Sequence, residues 1–133
     1  MYKRSLALGA GVLLVGVACG AFGAHALKVR LSPEALAQWK TAVDYQFYHG
    51  LGLVLLAALD SRVPTAAGNW VRRLFIGGVF LFCGSIYLLS TRELLGTYAL
   101  SPILGPITPL GGLLFMAGWA VLLVTALRGT DVR

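Results

Sequence analysis

Ser5-Leu6-Ala7-Leu8-Gly9-Ala10-Gly11-Val12-Leu13-Leu14-Val15-Gly16-Val17-Ala18-Cys19-Gly20-Ala21-Phe22-Gly23-Ala24-His25-Ala26-Leu27 carries no formal charge from end to end. As a helix rising about 1.5 Å per residue it is about 35 Å long, enough to cross a hydrocarbon core of about 30 Å. Basic residues bracket it, Lys3 and Arg4 before and Lys28 and Arg30 after. This is the pattern of a membrane span, and it sets the terms for the rest of the chain.

Three more spans follow outward from it. Ser32-Pro33-Glu34 reads as an N-cap with proline at the first helical position, opening a helix that continues to about Leu59. A third, Leu74 to Thr91, lies between Arg72-Arg73 and Arg92-Glu93. The fourth, Ile107 to Leu127, follows the breaker run Ser101-Pro102 to Gly105-Pro106. The expectation is an all-α integral membrane protein, a left-handed up-down four-helix bundle forming one membrane domain over residues 1–133, with helices at about 5–27, 33–59, 74–91 and 107–127.

Composition agrees. Hydrophobic residues make up 58% of the chain and charged residues 12%, with mean hydropathy +0.81, too apolar for a soluble domain of this size to bury. A net charge of +6 would suggest nucleic acid in a soluble protein, but these basic residues flank apolar runs and act as topology signals and headgroup contacts. Cys19 and Cys83 lie inside apolar segments without metal-ligand spacing and read as buried structural thiols. Ala24-His25-Ala26 imitates a signal-peptidase site and Val17-Ala18-Cys19 faintly a lipoprotein site. The apolar run exceeds a signal's usual core of roughly 7–15 residues, so it is expected to stay.

Counting Lys and Arg by side sets orientation. Lys3, Arg4, Arg62, Arg72, Arg73, Arg128 and Arg133 fall on one side, and Lys28, Arg30, Lys40 and Arg92 on the other. The richer side is cytoplasmic. Both termini are therefore expected inside a plasma membrane, with the ends of helices 1 and 3 and the starts of helices 2 and 4 facing outward.

Gly16, Gly20 and Ala24 form a small-residue ladder on helix 1, while Gly11, Ala18 and Ala21 lie on the opposite side. That arrangement predicts a central helix approached from two sides. Gly23 in the same helix, and Gly84, Gly111 and Gly112 in later ones, are further expected packing positions.

On helix 2, Thr41, Asp44, Tyr45, Tyr48, His49 and Gly52 fall within about 140° of helix surface, and Phe47, Leu51 and Val54 take another side. Counting about 1.5 Å per residue from the inner ends places His25, Asp44 and Arg92 at one outer level and His49 nearer the midplane. Ionisable groups in a bilayer persist by pairing, so Asp44 is expected against Arg92 or His25, with Tyr45, Gln46, Tyr48 and Ser85 completing the hydrogen bonds. The polar cluster His25, Asp44, Tyr45, Gln46, Tyr48, His49, Ser85 and Arg92 reads first as a network that fixes helix register and second as the candidate site for a ligand or ion on the outer side. No H-x3-H or E-x2-H spacing supports a metal, and Ser85 and Ser90 lack a nucleophile-elbow context. No catalytic residue, metal or cofactor is expected.

Four blocks resemble a known family. Gly20-Ala21-Phe22-Gly23-Ala24-His25-Ala26-Leu27, Thr41-Ala42-Val43-Asp44-Tyr45-Gln46-Phe47-Tyr48-His49, Cys83-Gly84-Ser85-Ile86-Tyr87-Leu88-Leu89, and Ile107-Thr108-Pro109-Leu110-Gly111-Gly112 with Gly118-Trp119 are similar to the signature blocks of domain of unknown function 423, to which transmembrane protein 256 of animals is related. The resemblance covers nearly the whole chain. It implies a four-helix protein of bacterial plasma membranes and supplies no activity. Special roles for Asp44, Tyr48 and Cys83 rest on the physical argument alone.

In the last block Thr108 is a plausible cap and Pro109 suits the first turn of helix 4. Trp119 is too deep for an interfacial belt and needs an indole partner in the core, whereas Trp39 and Trp70 suit the two interfaces. The leading functional expectation is a non-enzymatic protein whose partners are the lipid bilayer and either a membrane protein or a second copy of itself, or one that holds a small ligand or lipid in the outer polar pocket. The alternative is a small transporter or channel moving a proton, ion or solute past His49. An enzyme ranks third, and nucleic acid is not an expected partner.

Overall fold

The computed structural model describes residues 2–129; Arg133, one of the charges counted for orientation, lies outside them. Helix α1 runs Tyr2–Leu27, its last five residues Gly23–Leu27 wound as a π turn. Helix α2 is Pro33–Ala58, α3 is Thr65–Ser90 with a π turn at Val79–Cys83, and α4 is Ser101–Leu127. A single turn Arg92–Leu95 and a 3-10 turn Tyr98–Leu100 link α3 to α4. Three stretches, Tyr2–Leu27, Thr65–Ser90 and Tyr98–Leu127, are long and apolar enough to cross a membrane. The fourth long helix, α2, carries Lys40 and Asp44 in its first half and Gln46 and His49 just past its middle, and is less apolar.

Local chemistry explains the boundaries. Ser32 caps α2, its hydroxyl accepting from Ala35 N at 3.2 Å, with Pro33 in the first turn and Glu34 favourable at the positive end of the helix dipole. At the end of the turn Arg92–Leu95, Gly96 takes φ +66°, a left-handed cap, and Thr97 N donates to Arg92 O at 2.9 Å.

Two helices begin earlier than their apolar runs. The third starts at Thr65 rather than Leu74, because its polar first turns still bury Gly68 and Val71 and a helix need not stop where hydrocarbon does. The fourth starts at Ser101 rather than Ile107. Pro102 sits in the first turn, where its missing N–H is no loss, and Pro106 and Pro109 lie inside the helix. Each of these two strips a carbonyl of its i+4 donor, and the helix continues regardless. Thr108 is accordingly not a cap; it lies within α4.

Antiparallel neighbours follow chain order: α1 on α2, α2 on α3, α3 on α4. The core of buried Ala42, Leu53, Leu56, Val71, Phe75, Cys83 and Phe115 joins the last three helices, and Leu27, Trp39 and Val43 form a smaller cluster beneath the α1–α2 connection. Helix α1 is thus an edge helix, not a central one. Its buried Ser5, Gly9, Gly16, Gly23 and Leu27 lie along one side, whereas Gly11 has nothing within 4 Å of where a Cβ would sit and Ala18 and Ala21 are exposed. Seven-residue steps from Gly9 to Gly16 to Gly23 return to nearly the same face, which suits a shallow crossing of α2.

Candidate functional site

Helix α2 supplies the polar interior, and the contacts of its side chains tie it to every other long helix. Gln46 Nε2 donates to the Val12 carbonyl of α1 at 2.9 Å, while its Oε1 accepts from Tyr87 OH of α3 at 2.7 Å. Gly16 lies against this contact, where a Cβ would press on the Phe47 ring at 3.1 Å and only touch Gln46 Cγ at 3.6 Å. About two turns away, Trp39 Nε1 donates to the Cys19 carbonyl at 2.9 Å. The indole occupies the space a side chain at Gly23 would fill, where a Cβ would lie 2.6 Å from Trp39 Cδ1. Its ring packs on Tyr87, centroids 4.5 Å apart. Buried amide and indole groups are therefore satisfied by backbone carbonyls of the neighbouring helix, as a low-dielectric interior requires.

His49, 4% exposed, sits in an aromatic box between α2, α3 and α4. Its Nδ1 lies 2.7 Å from the Tyr45 carbonyl, which only accepts, and its Nε2 lies 3.1 Å from Trp119 Nε1–H, which only donates. The partners therefore select the neutral Nδ1–H tautomer. Phe115 stacks on one face at 3.4 Å between centroids and 8° between planes, and Phe75 meets the ring edge-on at 5.1 Å. Helix α4 approaches closely here because Gly78 and Gly118 leave room for the Phe115 and Phe75 rings. Farther along the same pair, Gly111 brings the two backbones together at Leu81 and Phe82, and Ser85 Oγ and Thr108 Oγ1 share a hydrogen bond at 2.6 Å.

Of the sequence-predicted cluster, Gln46, His49 and Ser85 are buried polar contacts between helices, and Tyr45 packs on Phe82 at 4.6 Å. The others stand apart. Tyr48 is 57% exposed, edge-on to Tyr45. His25 is exposed on the π turn of α1. Arg92 points to Ser101 Oγ at 3.5 Å and lies over Tyr98 at 5.4 Å; the expected pair with Asp44 is not made. Asp44 is half-buried and lines a groove with Lys28 and Lys40 instead. Counting rise per residue gave Asp44 and Arg92 a common level, but they line cavities on different sides of α2. Among the expected packing glycines, Gly20 and Gly112 are in ordinary contact with Val43 and Phe82, and Gly84 has nothing near it.

Sequence reasoning missed Trp39 and Tyr87 as interior partners and took Trp39 for an interfacial residue. The signal was present, since Trp39 lies seven residues before Gln46, on the same face of α2. Trp119 is 41% exposed while its N–H reaches inward.

Two cavities flank the first half of α2. The groove between α1 and α2, about 610 Å³, has a floor of Gly20, Gly23, Ala24 and Val43 and is edged by Lys28, Lys40 and Asp44. A second cavity of about 370 Å³ lies between α2, α3 and α4. Among the described residues no group of three or more His, Cys, Asp or Glu is placed to hold a metal ion.

The profile of the family "Protein of unknown function (DUF423)" matches residues 19–112. The UPF0382 membrane protein SH2409 of Staphylococcus haemolyticus is 40% identical over 126 residues, covering 95% of this chain and 97% of that protein. The UPF0382 membrane protein YwdK of Bacillus subtilis is 39% identical over 131 residues, covering 95% and 98%. No solved structure matches. The chain belongs to the DUF423 family, and the relatives it matches are named as membrane proteins.

Proposed function

We propose that this member of the family is a multi-pass plasma-membrane protein, a four-helix up-down bundle with both termini cytoplasmic, that holds a lipid in the outward-facing groove between α1 and α2. The groove carries the reading. It joins an apolar floor of small residues to two cations and one carboxylate at its edge, which matches a molecule with an acyl chain and a charged head. Helix α2 is about 39 Å long at 1.5 Å per residue, sufficient to span beside the other three. The distribution of Lys and Arg supports the orientation.

A non-catalytic role is supported by where the interior hydroxyls go. Ser85 and Ser90 donate to the carbonyls of Phe82 and Tyr87 in their own helix at 3.0 Å each, rather than to a base. Transport past His49 is the weaker reading, because both ring nitrogens are already engaged and Phe115 covers one face.

The test is the lipid that stays with the protein. Ala24 and Ala37 line the groove from exposed helix positions, so Ala24→Phe and Ala37→Phe fill it without entering the core. Mass spectrometry of the protein extracted in mild detergent should find a retained lipid on the parent and lose it in both variants. Equal retention by all three overturns the groove as the site.

A further inference from the structure

The second cavity has a donor and acceptor pattern of its own. It lies on a different side of α2 from the lipid groove, lined by Gln38, Thr41, Arg92, Gly105, Thr108 and Pro109 among others. Arg92 is half-buried. Among the described residues its hydrogen bonding is one contact of 3.5 Å to Ser101, so most of its five N–H groups remain for an oxyanion, which the planar fork can grip with two bonds.

The remaining polar groups mostly want donors. Pro109 has no N–H, so the Gly105 carbonyl lacks its i+4 partner, and these are two of the residues lining the cavity. Gly105 has no side chain to screen that carbonyl, and nothing lies within 4 Å of where one would begin. The Thr41 hydroxyl already gives its proton to Ala37 O at 3.1 Å. The Thr108 hydroxyl has only Leu104 O at 3.3 Å and Ser85 Oγ at 2.6 Å to choose between. Both threonines then face a ligand as acceptors. A cavity with one fixed cation and several acceptors suits an anion that also carries hydroxyl groups. A fatty-acid carboxylate or a choline phospholipid brings no such donors.

We propose that this cavity binds a phosphate ester of a polyol, its phosphate on Arg92 and its hydroxyls donating to the Gly105 carbonyl and to one of the two threonines. The ligand is either the headgroup of a phospholipid of the phosphatidylglycerol kind or a free glycerol phosphate. Because these residues are separate from the α1–α2 groove, the proposal stands or falls independently of the lipid held there.

The experiment uses the full chain in phosphatidylcholine nanodiscs. Phosphatidylglycerol is one probe, soluble glycerol phosphate a second, and phosphatidylmethanol, an anionic lipid without hydroxyls, the control. The parent should bind one of the first two at least roughly tenfold more tightly than phosphatidylmethanol, as a charge-assisted contact plus added hydrogen bonds predicts. Which of them binds identifies the source. Arg92→Gln should abolish binding. Pro109→Ala returns an N–H to the Gly105 carbonyl and favours the helix, so it folds, and it should bring the preferred probe down toward the phosphatidylmethanol level with Arg92 intact. Retained binding in Arg92→Gln overturns the proposal, as do equal affinities for hydroxylated and hydroxyl-free anions in the parent, or no binding of either hydroxylated probe.

Discussion

Trp119 Nε1 donates to His49 Nε2 at 3.1 Å across the α2–α4 boundary, fixing by its own proton which nitrogen of the histidine is bare. The bond couples a partly exposed tryptophan to a buried imidazole and closes the aromatic box on its exposed side. His49 is thereby a clamp between helices.

Removing that clamp should cost stability in steps. Trp119→Phe keeps most of the ring and loses one hydrogen bond, about 0.5–1.5 kcal/mol in thermal or chemical unfolding in detergent. His49→Ala also loses the Phe115 stack and opens a cavity, on the order of 2–4 kcal/mol, and His49→Gln should fall between. An unchanged melting temperature for Trp119→Phe would mean the indole bond contributes nothing.

Glycine substitutions separate packed positions from open ones. Gly23→Ala drives a methyl into Trp39 and Gly111→Ala into the Phe82 backbone, and each should destabilise by roughly 1–3 kcal/mol as overpacking does. Gly11→Ala and Gly84→Ala meet nothing within 4 Å and should be neutral or stabilise by about 0.5–1 kcal/mol through helix propensity. The order of the four melting temperatures is the readout; a destabilising Gly84→Ala would place an unseen neighbour there.

Gln46 and Tyr87 should be energetically coupled. Tyr87→Phe leaves Gln46 Oε1 without its 2.7 Å donor, costing about 1–3 kcal/mol as an orphaned acceptor. Gln46→Leu removes both ends of the link between α1 and α3. In a double-mutant cycle the pair should destabilise by less than the sum of the singles, by at least about 0.5 kcal/mol. Strict additivity would show that the two side chains do not share that bond.

Reporter fusions test the proposed orientation. A cytoplasmic reporter should be active after Arg128 and near Ala67, and an external reporter near Leu100. An external signal from the C-terminal fusion would reverse the bundle and put both cavities on the cytoplasmic side.

Apolar length and the charges that bracket it are properties of consecutive residues, so the membrane class and the long helices were legible before any contact was known. So was the α2 start, because Ser32, Pro33 and Glu34 act within one turn. Helical periodicity also placed His49 on the polar face of α2, and Gln46 was expected among the hydrogen-bonding groups near it. It did not reveal what they touch. Asp44 and Arg92 shared a computed depth yet face different cavities, since depth along an axis leaves rotation about that axis and the choice of neighbour undetermined. Those depend on which faces close against each other: Gly23 admitting Trp39, Gly111 meeting Phe82, and Gly78 and Gly118 admitting the rings around His49. Such choices are settled by steric fit between residues dozens of positions apart. One chain therefore determined that its helices are apolar and where they begin and end to within a few turns, while only their mutual packing decided that α1 lies at the edge, that His49 is bonded at both nitrogens, and that two cavities remain beside α2.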